Sequence, residues 1–118
     1  MKRTKERIKQ TGEVFTPHEL CLQMVREIPR EKLADPTSTY LDPSCGDGNF
    51  LVALHEVLTQ DYQQDPANVN ARLYGVDLMP DNIAVAKSRL PGAHLVCADA
   101  LTYDFAFDVP VEEVSTTP

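Results

Sequence analysis

The sequence has 118 residues, of which 42% are hydrophobic, and this is enough for one small domain with a buried core. Residues 1–10 contain five Lys or Arg and one Glu, a net charge of +4, whereas residues 11–118 contain six basic and seventeen acidic residues, a net charge of −11. Such an acidic body is expected to bind nucleic acid poorly without a partner, because contacts to phosphates need clustered Lys and Arg.

The basic start of the chain is interpreted as a flexible, solvated tail, with contact to a phosphate backbone as the alternative. It is not followed by the apolar segment of a secretory signal, and no apolar run approaches the length of a membrane span, so no membrane association is expected. Cys21, Cys45 and Cys97 are far apart and lack the spacing of metal ligands. They predict free thiols and a cytoplasmic location.

The first predicted element is a helix that begins near Thr16. Thr16 is a good N-cap, Pro17 suits the first helical position, and Glu19 stands where a capping box has its glutamate. Pro29 ends this helix. Its apolar stripe is expected to consist of Leu20, Met24, Val25 and Ile28. Taken alone, these residues favour a helix whose role is packing.

A strand, a glycine turn and a second helix follow, and the rest of the chain is predicted around them. Residues 40–41 have the character of a buried strand, which Pro43 ends because it has no backbone N–H to donate. Gly46 and Gly48 permit positive φ and let a ligand approach bare backbone. Apolar residues at helical spacing then predict a helix that leaves the turn and runs to about Gln60.

Two further strands and one further helix complete the pattern. A strand is predicted at residues 71–76, a helix at 80–90 and a third strand at 94–98. The remaining connections, at residues 30–39 and 61–70, are predicted to be loops. The β-α-β-α-β order predicts an α/β fold with a parallel sheet and right-handed crossovers.

Each predicted strand is followed by a carboxylate: Asp42, Asp77 or Asp99. The carboxyl ends of parallel strands line one crevice, so these side chains are expected along one edge of the sheet. A carboxylate after the second strand can accept hydrogen bonds from ribose hydroxyls, and one after the third can accept from an exocyclic amine such as adenine N6. The alternative is that Asp77 and Asp99 are turn or capping residues, but the recurrence of all three favours a ligand.

The glycine turn suits two classes of cofactor. Dinucleotide folds use Gly-x-Gly-x-x-Gly, with the pyrophosphate at the helix N-terminus. Here Leu51 occupies the position of the third glycine, and Asp42 and Asp47 flank the turn, where they would repel a pyrophosphate. A cationic ligand such as S-adenosylmethionine is therefore favoured, and a dinucleotide is the alternative.

These residues resemble the N-terminal part of N6-adenine DNA methyltransferases, in particular the modification subunits of type I and type IIG restriction–modification systems. Residues 12–17, Gly-Glu-Val-Phe-Thr-Pro, are similar to motif X of that family, which closes over the methionine end of S-adenosylmethionine. Residues 42–51 resemble motif I, residues 74–78 motif II, and residues 99–101 motif III. The resemblance covers about residues 11–108.

The resemblance implies a Rossmann-like class I methyltransferase fold, truncated to a half-sheet with strand order 3-2-1 and preceded by an N-terminal helix. At most a short fourth strand, at residues 105–111, would follow. The cofactor-binding domain would span residues 11–111, before an acidic and polar tail at 112–118. The implied cofactor contacts are Phe15, Thr16, Pro17, Asp42, Ser44, Cys45, Gly46, Gly48, Asn49, Phe50, Asp77, Leu78, Asp99 and Ala100.

The sequence departs from the family in one respect that bears on catalysis. The Asn-Pro-Pro-Tyr or Asp-Pro-Pro-Tyr motif, which holds the flipped adenine in the family, does not occur in these 118 residues. The expected function is therefore binding of S-adenosylmethionine or S-adenosylhomocysteine as part of a DNA adenine-N6 methyltransferase, without a catalytic residue of its own and with only indirect contact to DNA.

Two alternatives to this function stay open. A non-catalytic S-adenosylmethionine-binding regulator or decoy subunit is the second hypothesis, and a dinucleotide-binding module is the third. An unpaired strand edge beside strand one is expected to pair with another chain, and a monomer whose edge is guarded by Pro110, Asp108, Glu112 and Glu113 is the alternative. The partner would be a second copy of this chain or a separate catalytic chain.

Overall fold

The computed structural model describes residues 16–107. The basic segment at residues 1–10, the tail at 112–118, Phe15 and residues 108–111 of the predicted fourth strand lie outside the described residues. In chain order the elements are α1 His18–Arg26, α2 Arg30–Ala34, β1 Tyr40–Asp42, α3 Asn49–Gln60, α4 Pro66–Asn70, β2 Leu73–Asp77, α5 Pro80–Arg89 and β3 His94–Cys97.

The described strands form one parallel sheet in the order β1-β2-β3, which confirms the predicted α/β class and strand order. In register, Tyr40 lies opposite Leu73, and Tyr74 lies opposite His94. Because strand side chains alternate between faces, Tyr40, Leu73 and Leu95 share the face that the helices cover, and they belong to one buried cluster.

Helix α3 supplies the centre of that cluster. Leu51, Leu54 and Leu58 follow one another at helical spacing and are fully buried, as the sequence predicts for a helix that leaves the glycine turn. Burial of each leucine is worth about 1.5–3 kcal/mol relative to exposure. The sheet and the start of α3 therefore form a rigid support for the turn between them.

The first helix differs from its prediction at both its cap and its buried stripe. Pro17 has extended backbone and occupies the N-cap position, so Thr16 lies one residue too early and no side chain caps α1. The residues that α1 buries are Cys21 and Val25, whereas Leu20 and Met24 are 46% and 44% exposed. The prediction missed Cys21 because it counted only aliphatic residues, although a free thiol packs as a small hydrophobe.

Two connections predicted to be loops contain single-turn helices. Helix α4 begins where Asp65 accepts a hydrogen bond from the Asn68 N–H and Pro66 occupies the first helical position. Helix α2 follows Pro29 and buries Leu33. Each helix has five residues, too few for a hydrophobic period to appear in the sequence.

The opposite face of the sheet carries a row of three residues in register: Leu41, Tyr74 and His94. The rings of Tyr74 and His94 stack with their centroids 4.5 Å apart, and Phe107 packs edge-on against Tyr74 at 5.1 Å. Leu41 is 48% exposed. Within residues 16–107 this face is thus covered by the segment after β3, and its β1 side stays open.

The segment after β3 does not form the start of a fourth strand at residues 105–107. Phe105 and Phe107 have φ values of 57° and 51°, in the left-handed region, whereas a strand needs extended backbone. The rings of Tyr103, Phe105 and Phe107 pack on one another instead, and the Phe107 N–H donates to the Tyr103 hydroxyl. Aromatic packing therefore determines this turn.

The edge of β1 away from β2 has no partner strand among the described residues. The Tyr40 N–H donates to the Arg72 carbonyl at 3.0 Å, toward β2. Successive residues of a strand direct their backbone N–H and C=O groups to opposite sides, so those of Leu41 point away from β2, toward the unpaired edge. None of the described helices combines the length and apolar composition that crossing a bilayer requires.

Candidate functional site

A cleft of about 330 Å³ lies between α1, the end of β1 and the glycine turn. It brings together seven of the predicted cofactor contacts: Thr16, Asp42, Ser44, Cys45, Gly46, Asn49 and Phe50. The same cleft is also lined by Cys21, Met24, Leu41 and Asp47. Asp47 was noted only as a flanking charge, and Met24 only as a packing residue. Neither Met24 nor Leu41 carries a local signal for a site, because α1 and β1 meet only in the fold.

Hydrogen bonds fix the turn against both neighbouring strands. The Ser44 N–H donates to Asp42 Oδ1 at 3.1 Å, which closes a tight turn after β1. The Cys45 N–H donates to the Val76 carbonyl at 2.9 Å, and the Gly46 N–H donates to Asp77 Oδ1 at 3.1 Å. Gly46 has φ of 56°, which glycine adopts without steric cost.

The carboxyl group of Asp42 is the main electrostatic feature of the cleft. Burial raises its pKa, and the nearby charge of Asp77 raises it further, while the hydrogen bond from the Ser44 N–H acts in the opposite direction. A desolvated carboxylate beside a second negative charge is stabilised by a cation. The cleft therefore favours a positively charged group next to Asp42.

Cys45 forms an apolar wall of this cleft. Burial, assisted by the negative charge of Asp42, raises the pKa of its thiol to about 12, and the residue is 5% exposed. A buried, protonated thiol is a poor nucleophile. Cys45 is thus suited to contact with an apolar part of a ligand and not to covalent chemistry.

Gly48, predicted to contact the cofactor, is not among the residues that line the cleft. A Cβ at this position would lie 3.3 Å from Ala86 Cβ, so Gly48 allows α5 to pack closely on the start of α3. Gly75, to which the sequence analysis gave no role, has a similar function inside β2. A Cβ there would lie 2.9 Å from the Leu95 side chain and 3.0 Å from that of Cys45. A glycine within a strand is the signal for such close packing.

Asp77 connects the cleft to the second part of the predicted site. Its Oδ1 accepts from the Gly46 N–H, and its Oδ2 accepts from the Met79 N–H at 3.0 Å and from Asn82 Nδ2 at 2.9 Å. The hydrogen bond from the Met79 N–H gives Asp77 the turn role that the sequence offers as the alternative to ligand binding. The ribose role assigned by resemblance stays a prediction.

The remaining predicted contacts lie beyond the cleft lining. Asp77 is opposite Cys97 in register, and its carbonyl accepts from the Ala98 N–H at 2.9 Å, so β2 and β3 end at the same edge. Leu78 is 62% exposed there, and Asp99 accepts from the Leu101 N–H at 2.9 Å in a turn of its own. Ala100 is half-buried and Pro17 is exposed.

Metal-binding chemistry has no candidate in the part of the chain that the structure describes, where no three His, Cys, Asp or Glu residues form a suitable group. His18 Nε2 lies 2.8 Å from Glu56 Oε2 at the surface. His55 Nδ1 lies 2.7 Å from Asn70 Oδ1, and His55 is half-buried, which indicates a structural role.

A comparison with protein families bears on this arrangement. A family model described as N-6 DNA Methylase matches residues 1–91. The match includes the glycine turn, Asp77 and the whole of α5, and it ends before β3. It covers more than three quarters of the 118 residues.

Proposed function

The chain belongs to the N-6 DNA methylase family, and we propose that it binds S-adenosylmethionine or S-adenosylhomocysteine along the carboxyl edge of its sheet. Members of the family use S-adenosylmethionine. The observation that supports the proposal most is the desolvated carboxylate of Asp42 in a cleft beside the glycine turn. A carboxylate whose ionised form is disfavoured by burial suits a ligand with a sulfonium and an ammonium group.

The donor groups of this edge match the parts of the cofactor. We assign the methionine end to the cleft, whose lining includes Asp42, Thr16 and Asn49. Asp77 would accept from the ribose hydroxyls, and Asp99 from adenine N6. The bound cofactor supplies an electrophilic methyl group. The sheet would then be part of a Rossmann-like class I methyltransferase fold.

Methyl transfer to adenine is proposed to need residues from outside these 118. The sequence contains no Asn-Pro-Pro-Tyr or Asp-Pro-Pro-Tyr motif, and residues 11–118 carry a net charge of −11, which favours only indirect contact with DNA. We propose that a second chain completes the enzyme. The exposed Leu41 and the unpaired edge of β1 within the described residues support a contact there.

A non-catalytic regulator or decoy that binds the same cofactor remains the alternative, and it predicts tight binding without transfer.

A cytoplasmic location is proposed because the three cysteines, Cys21, Cys45 and Cys97, are free.

Calorimetric titration of the 118-residue chain with S-adenosylmethionine, S-adenosylhomocysteine and NAD tests the proposal. We expect the first two to bind and NAD not to bind. Asp42→Asn should weaken S-adenosylmethionine by roughly tenfold, on the scale of a hydrogen bond to a charged group. The matched control is Asp61→Asn, which removes the same charge from a surface ion pair with Arg26. Preference for NAD, or equal affinity in both variants, would refute the assignment.

A further inference from the structure

Arg89, the last residue of α5, belongs to none of the recognised motifs and does not line the cleft. Its Nη1 lies 3.0 Å from the Asp47 carbonyl oxygen and 2.8 Å from Asn49 Oδ1. The same nitrogen lies 3.5 Å from Asp47 Oδ1. One guanidinium thus holds Asp47 in the glycine turn and Asn49 at the start of α3, and both residues line the cleft.

Asn49 extends this contact to the opposite wall. Its Nδ2 donates to the Thr16 carbonyl at 3.2 Å, immediately before α1. A guanidinium can only donate, so Arg89 requires the oxygen of the Asn49 amide on its side. The amide nitrogen must then face Thr16. Arg89 therefore selects the amide orientation that links the two walls of the cleft.

Electrostatic attraction between Arg89 and the proposed ligand cannot explain a contribution of Arg89 to binding. The proposed ligand carries a net positive charge, and a nearby arginine opposes its binding unless the arginine is neutralised. Asp47 is close enough to offset the guanidinium charge. What Arg89 contributes is the geometry of its hydrogen bonds.

We propose that Arg89 is a positioning residue for the cofactor cleft, which acts through Asn49 on the Thr16 carbonyl and so fixes the wall formed by the N-terminal end of α1. This inference rests on the proposed function and deepens it. Arg89 itself touches no part of the cofactor in this account.

The test measures the affinities of S-adenosylmethionine and S-adenosylhomocysteine for the full chain and for the variants Arg89→Ala, Asn49→Ala and the double variant. Arg89→Ala should weaken both ligands equally, by about three- to tenfold, the worth of about one net hydrogen bond. The double variant should bind no more weakly than Asn49→Ala alone, because residues that act through one another are not additive. Arg26→Ala is the control for loss of a surface arginine, and it should leave both affinities unchanged.

The two ligands distinguish positioning from a charge effect. S-adenosylmethionine has one more positive charge than S-adenosylhomocysteine, so simple removal of a positive charge near the cleft would strengthen the first relative to the second. If Arg89→Ala fails to fold, Arg89→Lys keeps the charge but not the planar fork, and a smaller equal loss for both ligands is expected.

Unchanged affinities in the Arg89 variants, a gain for S-adenosylmethionine alone, or additive losses in the double variant would overturn the inference while the proposed function stands. Absence of binding by the unaltered chain would overturn the proposed function and this inference together.

Discussion

Asp77 is the residue on which two parts of the proposed site depend, since its two carboxylate oxygens accept from Gly46, Met79 and Asn82. We expect Asp77→Ala to weaken S-adenosylmethionine binding by roughly 1.5–3 kcal/mol, the scale of hydrogen bonds to a charged group. Calorimetric titration measures this change. The variant also releases the Gly46 N–H, so its effect on the turn must be separated from its effect on the ligand.

Asn82→Ala measures the effect of losing one internal partner of Asp77, because it leaves the carboxylate and its hydrogen bond from the Gly46 N–H in place. It should lower stability, since Asn82 is fully buried, with a much smaller effect on affinity. Unchanged affinity in Asp77→Ala would remove the ribose assignment.

Asp42 has a predicted cost in the ligand-free protein. Because burial raises the pKa of this carboxyl group above its ordinary 3.8, its ionised form is less favourable in the folded than in the unfolded chain. The ionised group therefore destabilises the fold at pH 7, and this penalty is lost as pH falls through the raised pKa. Asp42→Asn should increase the free energy of unfolding at pH 7. It should also abolish the increase in stability that the unaltered chain shows as pH falls through the raised pKa of Asp42.

Urea denaturation at pH 7 and at mildly acidic pH measures both effects, with Asp61→Asn as the surface control. The same variant that gains stability should lose S-adenosylmethionine affinity, which is a trade-off expected of a functional carboxylate. Lower stability of Asp42→Asn at pH 7 would show that the charge of Asp42 strengthens its hydrogen bond from the Ser44 N–H by more than burial of that charge costs.

At the scale of elements, the packing of α5 on the start of α3 depends on Gly48. Its φ is 96°, and an added Cβ would lie 3.3 Å from Ala86 Cβ. Gly92 is a matched control, since its φ is 92° but the nearest atom to an added Cβ is 4.0 Å away. Gly92→Ala should cost about 1–2 kcal/mol, the penalty of left-handed backbone alone. Gly48→Ala should cost measurably more in urea denaturation, and equal costs would show that the contact with Ala86 relaxes freely.

Most of the helices and strands could be predicted from the sequence. The three strands, α3 and α5 were predicted because their apolar spacing and their Pro and Gly boundaries are local features. The short helices α2 and α4 were missed because a single turn carries no period. Of the short strand predicted at residues 105–111, the described residues 105–107 are not extended: Phe105 and Phe107 have left-handed backbone, and the ring contacts that accompany it are invisible in a local pattern.

The residues of the proposed site also divide into those that a local sequence pattern predicts and those that only the fold brings together. The turn residues Asp42 to Phe50 follow from one contiguous stretch of sequence, and the structure brings six of the seven predicted there to the cleft. Met24 and Arg89 could not be predicted, since each reaches the proposed site only through the packing of a separate helix, whereas Leu41 adjoins Asp42 within β1 and its apolar side chain gave no sign of a ligand. Gly48 does not line the cleft, and its contact with a ligand stays a prediction, because a positive φ has the same sequence signature whether a ligand or a helix occupies the space.

At the scale of the whole molecule, catalysis is predicted to be absent from the isolated chain. Labelled S-adenosylmethionine incubated with unmethylated DNA and the 118-residue chain should transfer no methyl group to adenine, because no Asn-Pro-Pro-Tyr motif is present to hold the base. Incorporation into DNA above the level of the Asp77→Ala variant would contradict this prediction. It would also require a catalytic residue among those that the sequence analysis left unassigned.

Association is the second prediction at this scale, and it concerns the β1 side of the sheet. Within the described residues this edge has no partner strand, and Leu41 next to it is 48% exposed. An open edge beside apolar surface favours pairing with another chain. We expect the purified chain to self-associate at low micromolar concentration, as measured by sedimentation velocity or light scattering.

The matched pair Leu41→Asp and Leu101→Asp tests where that association occurs. Both variants add one negative charge at an exposed leucine, but Leu101 follows β3 at the opposite edge of the sheet and is 93% exposed. Leu41→Asp should shift the chain toward the monomer, because a charge buried in an interface is costly unless paired, whereas Leu101→Asp should have no effect. A monomeric unaltered chain that binds no hydrophobic dye would mean that the sheet needs no partner at β1, and equal effects of the two variants would place the contact elsewhere.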